Sequence, residues 1–162
     1  MKKIIMLTLL VFWGVFTGAC TAFTSIENPA SLGETIYIGR QMSLKIVDVI
    51  RPADSYFSVL PPPSDFEYVL LKVQVECKNP KDMTCGFGMG SFNFTDQTGQ
   101  VYETEFIDVY YKHESDEIYG LRTLRGGSTE DIEISYLISK SDAPSILVYS
   151  MLYVSPAYFS LP

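Results

Sequence analysis

The chain reads as all-β, a two-sheet antiparallel sandwich of seven to eight short strands, and three observations predict that class. In Phe66–Cys77 the odd positions Val69, Leu71, Val73, Val75 and Cys77 are apolar, alternating with Lys72, Gln74 and Glu76. Period two marks a strand with one dry and one wet face, and Ile132, Ile134, Tyr136 and Ile138 repeat it. Aromatic residues make up 14% of the sequence, with 11 Tyr and 10 Phe, which suits pleated surfaces where flat and β-branched side chains pack well. No run of three helical turns follows the leader, and turn residues recur between the apolar runs. At 162 residues there is room for one domain.

Residues 1–19 read as a lipoprotein signal peptide. Lys2 and Lys3 precede an apolar run from Ile4 to Phe16, and Thr17-Gly18-Ala19 lead into Cys20. A basic start, apolar middle and small-residue end make a secretory signal, not a part of the fold. A cysteine directly after small residues resembles the bacterial lipobox. That resemblance implies a diacylglycerol on the Cys20 thiol and cleavage just before it, although Thr17 and Gly18 replace the commoner Leu or Val and Ala or Ser. Lipid would hold the chain at a bilayer surface, each buried CH₂ contributing about 0.8 kcal/mol. Two other readings compete: cleavage to a soluble secreted form, or retention of residues 4–23 as an uncut anchor. All three place the domain outside the cytoplasm.

Residues 20–34 carry Ser, Asn, Pro and Gly without periodicity and read as the lipidated cysteine and a flexible tether. The sandwich domain then occupies residues 35–162. A first strand falls at 35–38 and 44–50, ended by Arg51-Pro52. Residues 55–59 read as a short edge strand, stopped by Pro61-Pro62-Pro63, because proline cannot donate to a ladder. After the central strand, Asn79-Pro80-Lys81-Asp82 is turn chemistry. Cys85, Phe87 and Met89 are odd whereas Phe92 and Phe94 are even, which predicts a bulge near Gly90. Asp96-Gln97-Thr98-Gly99 predicts a hairpin turn with Gly99 left-handed, and residues 100–104 a returning strand. Residues 105–125 alternate only loosely, Gly126-Gly127 breaks the chain, and 132–138 alternate cleanly. Residues 145–154 read as a long closing strand apolar on both faces, with 157–161 as its cover.

Taking Cys20 out of the count leaves Cys77 and Cys85, an even number in an oxidising compartment. The turn between them permits a bridge, which would add roughly 2–3 kcal/mol in the chain-entropy model; two reduced, buried thiols are the competing reading. Zinc fits poorly, because two cysteines and one distant histidine fall short of a tetrahedral set.

Several elements recur in a recognisable order: a strand ending in Lys78-Asn79-Pro80, then Phe92-Asn93-Phe94-Thr95-Asp96-Gln97-Thr98-Gly99 with Tyr102, then Leu124-Arg125-Gly126-Gly127-Ser128, an alternating strand, and Ala143-Pro144-Ser145-Ile146-Leu147-Val148-Tyr149. That order resembles the bacterial surface lipoproteins of the domain-of-unknown-function 4352 family. The resemblance covers residues 36–154 and implies an immunoglobulin-like sandwich of the kind seen in a small secreted mycobacterial antigen. It transfers no catalytic residue, and the cysteine pair is not part of its pattern.

Formal charge is −7, and losing Lys2 and Lys3 with the leader leaves 10 basic residues against 19 acids, or −9. Such a chain is repelled by phosphate backbones, which argues against nucleic acid as a partner. His113 is the only histidine, set between Lys112 and Glu114 in a polar loop, and reads as solvated rather than as a catalytic base. Glu114, Asp116 and Glu117, with Asp108, could offer oxygen ligands to calcium, but no Asp-x-Asp-x-Asp-Gly loop is present and a solvated acidic loop is favoured. The sequence therefore predicts no catalytic residues, no metal and no cofactor. Tyr110, Tyr111, Tyr119, Tyr149, Tyr153, Tyr158 and Phe159 are more aromatics than one small core needs. They form either further core or an exposed patch.

The expected function is a lipid-anchored, non-enzymatic binding or accessory module on the extracytoplasmic face of the cell membrane. It would recognise a protein, peptide or glycan through Tyr110, Tyr111, His113 and Tyr119. The alternatives are a passive structural or envelope-stress spacer and a secreted, soluble antigen-like protein.

Overall fold

β3 (Phe66–Cys77) is central to a five-stranded antiparallel sheet in the computed structural model, which describes residues 24–57, 61–107 and 120–162. On one side β3 pairs with β2 (Met42–Ile50), which pairs with β1 (Thr35–Ile38). On the other it pairs with β8 (Thr129–Ser139), and β8 with β6 (Thr104–Ile107). The second layer holds β5 (Phe92–Thr95), β9 (Ile146–Tyr149) and β10 (Ala157–Ser160), with β9 in the middle, and the pair β4 (Thr84–Gly88) and β7 (Leu121–Arg125). The predicted class is borne out. The described residues carry ten strands rather than seven to eight, and the opening run is divided into β1 and β2.

The period-two reading of β3 fixes its faces. Val69, Leu71, Val73, Val75 and Cys77 are buried between the layers with Leu44, Ile46, Ile132, Ile134 and Ile138. Opposite them lie Phe87, Phe92, Phe94, Leu124, Leu147, Tyr149 and Phe159. Phe87 and Tyr149 stack at 5.5 Å, and Phe94 meets Tyr136 edge-on at 5.4 Å. The buried Tyr136 hydroxyl donates to the Met89 carbonyl at 2.6 Å. Burial pushes its ionisation well above the ordinary tyrosine range.

Five sequence expectations are corrected. The segment read as an edge strand at 55–59 is a 3-10 turn over Asp54–Phe57, with residues 58–60 outside the described ones. Its Asp54 carboxylate accepts from Tyr68 N at 2.9 Å, and Phe57 covers Tyr68 and Leu70 on the outer face of β3. That small second core explains why the start of β3 is apolar on both faces. The predicted bulge near Gly90 is a 3-10 turn over Met89–Ser91, where the chain leaves β7 for β9 as its partner. The parity switch is real, but it marks a change of sheet.

The return from the Asp96 turn makes only an isolated bridge, Thr95 to Val101, before crossing to the other layer as β6. The predicted closing strand stops at Tyr149; residues 150–156 turn, and β10 comes back along β9. The tether is also shorter than expected. Ala30 N donates to Tyr158 O at 2.9 Å, Ser160 N donates to Ala30 O at 2.8 Å, and Tyr158 N donates to Thr24 Oγ1 at 2.9 Å. The stretch from Thr24 is therefore docked on the free edge of β10, covering backbone groups that an edge strand would otherwise expose.

Candidate functional site

Of the residues proposed from the sequence as lipidation, disulfide or binding sites, only Cys77 and Cys85 fall among the described ones. Cys20, Tyr110, Tyr111, His113 and Tyr119 lie outside them, as do Asp108, Glu114, Asp116 and Glu117. The flanks of the 108–119 connection are defined: it leaves β6 in one layer and enters β7 in the other. Among the described residues no three metal-ligating side chains cluster.

Cys77 and Cys85 form a disulfide with a Cα separation of 5.7 Å. The bond joins the end of β3 to β4, and so links the two layers inside the core, where both cysteines are buried. The loop it closes is gripped by the turn between β7 and β8. Gly126 N donates to Met83 O and Gly127 N to Cys77 O, each at 2.8 Å. Asn79 Nδ2 closes the loop internally on Thr84 O, also at 2.8 Å. These contacts make a structural corner, in which both cysteines are held in the bridge.

The Asp96 turn is likewise structural. Asp96 Oδ1 accepts from Thr98 Oγ1, Thr98 N and Gln100 N at 2.7, 2.8 and 3.0 Å. Those bonds, the Thr98 hydroxyl foremost, hold the carboxyl below its usual range, and Gly99 takes the expected left-handed φ of 85°. The aromatic surplus divides the same way. Tyr149 and Phe159 are core, Tyr158 is half-buried, and Tyr153 is fully exposed.

A groove of about 840 Å³ is formed among the described residues. It opens where the chain crosses from β5 to β6, beside the end of β8. Phe66 and Val101 supply an apolar floor, 38% and 60% exposed. Glu103, Glu105 and Asp142 line it; no Lys or Arg does. None of these three carboxylates has an ion-pair partner among the described residues, whereas Arg51 nearby is committed to Glu67 at 2.5 Å and to Asp142 O at 2.7 Å. The groove can therefore hold a positive group over an apolar contact. Sequence reasoning missed it because its residues come from three separated segments that read as strand ends and turns.

The opposite pole carries the other exposed feature. There the β1–β2 turn, the disulfide loop, the β7–β8 turn and the 150–156 turn meet. Leu152 and Tyr153 are 84% and 102% exposed, and Met83 is 49% exposed. Ser150, Ser155 and Pro156 bracketed this turn in the sequence, but the apolar run between them read as strand.

No family model matches the chain, nor does any curated relative. Solved structures do resemble it. The yjhA protein from Bacillus subtilis aligns at 15% identity and a TM-score of 0.52, over 82% of this chain and 99% of that one. A secreted protein from Mycobacterium tuberculosis, MPT63, aligns at 14% identity and a TM-score of 0.53, over 82% of this chain and 98% of that one. At such identities the likeness establishes a shared fold.

Proposed function

We propose that this protein is an extracytoplasmic lipoprotein of the domain-of-unknown-function 4352 kind, anchored through Cys20, whose sandwich is a non-catalytic binding module. The acidic groove beside β6 carries the binding half of this reading. Three carboxylates without an ion-pair partner among the described residues, set around exposed Phe66 and Val101, suit a cationic, amphipathic segment of a protein or peptide, because charge attracts it and apolar area holds it. A buried disulfide supports the extracytoplasmic half, since such bonds persist in oxidising compartments.

Two outcomes are expected. Cys20→Ser should move the protein from the membrane to the soluble fraction of its cells, as followed by fractionation and immunoblotting; retention in the membrane pellet would remove the lipid anchor. In NMR titrations with a synthetic Lys/Leu peptide, shifts should concentrate on residues 100–105. The double variant Glu103→Lys, Glu105→Lys should weaken binding about tenfold or more, about 1.4 kcal/mol. Equal affinity in the variant would take the groove out of the account.

A further inference from the structure

The place where the chain enters the sandwich constrains which end can face a bilayer. Thr24 is held by Tyr158 N at the start of β10. Cys20 lies four residues earlier, a reach of about 14 Å at full extension. A lipid on Cys20 therefore keeps the β10 edge within one short span of the membrane surface, too close for the domain to tumble freely.

The turn that leads into β10 carries the exposed apolar residues Leu152 and Tyr153. They are the most exposed large hydrophobics among the described residues. Tyr153 also stands at a φ of 65°, in the left-handed region that an L side chain rarely adopts. Val154 ties the turn to the β1–β2 hairpin: a Cβ on Gly39 would sit 3.9 Å from Val154 Cγ1. The pole so assembled holds Arg40, Lys78, Lys81 and Arg125, four of the ten basic residues outside the leader, in a chain of formal charge −7, or −9 without Lys2 and Lys3. Lys78 is paired with Glu76 at 2.9 Å, which leaves Arg40, Lys81 and Arg125 against Asp82.

We propose that this pole is a membrane-docking surface. Leu152 and Tyr153 enter the interfacial zone of the bilayer, where tyrosine's apolar ring and polar hydroxyl are both accommodated, and Arg40, Lys81 and Arg125 rest on anionic headgroups. The proposal rests on the lipid anchor at Cys20 and adds an orientation to it: the acidic groove, at the opposite pole, faces away from the membrane. A negatively charged groove and a positively charged base agree with that placement.

The test uses the full lipidated protein in phosphatidylcholine/phosphatidylglycerol vesicles containing nitroxide-labelled lipid. An environment-sensitive fluorophore is placed at Leu152→Cys or, as control at the far pole, at Gln97→Cys. The label at 152 should be quenched several-fold more than the label at 97. Replacing Arg40, Lys81 and Arg125 with Gln should reduce that difference. Co-sedimentation of unlabelled protein reads the anchor separately: failure to pellet with vesicles overturns the anchor and the docking together. Pelleting with equal quenching at 152 and 97, or with a water-exposed label at 152, overturns the docking alone and gives the turn to a protein partner.

Discussion

Gly126→Ala is expected to destabilise the domain by about 3–5 kcal/mol, among the largest effects a single substitution produces. A Cβ at this position would lie 1.8 Å from the Pro80 carbonyl oxygen, 2.6 Å from Pro80 C and 2.8 Å from Asn79 O. All three are backbone atoms, so no side chain can rotate away. Relief requires moving the loop that the disulfide closes, and with it the bonds from Gly126 N to Met83 O and from Gly127 N to Cys77 O. Urea unfolding measures the loss, with Gly86→Ala as control. At Gly86 an added Cβ meets only Leu121 Cδ1, at 3.5 Å, an ordinary contact, and stability should change little. A Gly126→Ala protein as stable as the parent would mean that the loop and the β7–β8 turn are not packed as described.

Opening the Cys77–Cys85 bridge is expected to cost about 2–3 kcal/mol from loop closure alone. In a domain of this size that lowers Tm by on the order of 10 °C. The bond joins the two layers at a buried corner, so its loss frees the end of β3 from β4 as well as relaxing the unfolded chain. Thermal melts of the parent with and without reductant isolate the cross-link. The double variant Cys77→Ala, Cys85→Ala adds the small cavity left by two buried sulfurs, about 1 kcal/mol more. An unchanged Tm after reduction, with both thiols shown free by alkylation and mass spectrometry, would remove the bridge as a source of stability. Gly126 and the disulfide act on one loop, so their effects should not add.

Both predictions concern a corner that the sequence announced only in fragments. Asn79-Pro80 read as a turn, and Gly126-Gly127 read as a break. Nothing in either segment says that one backbone lies on the other, because that contact joins positions far apart in the chain. The acidic groove was hidden for the same reason. Phe66, Val101, Glu103, Glu105 and Asp142 are unremarkable in their own segments and acquire meaning only where the β5–β6 crossing sets them side by side. Even the errors share a cause. The 145–154 run looked like one strand because apolar residues continued past Tyr149, whereas Leu152 and Tyr153 are apolar and exposed.

Alternation by itself determined β3 and β8 and the faces they turn to the core. A side chain's face depends on its parity, a local property that survives into β3 and β8 unchanged. The cysteine count and the leader likewise made a bridge an expectation, through chemistry that needs no coordinates. Tertiary structure alone decided which strand pairs with which, that the face switch at Met89–Ser91 is a change of sheet, and that residues from Thr24 onward lie along β10. These are choices among partners distant in sequence, and they are made by the shape of the whole core, which no single segment encodes.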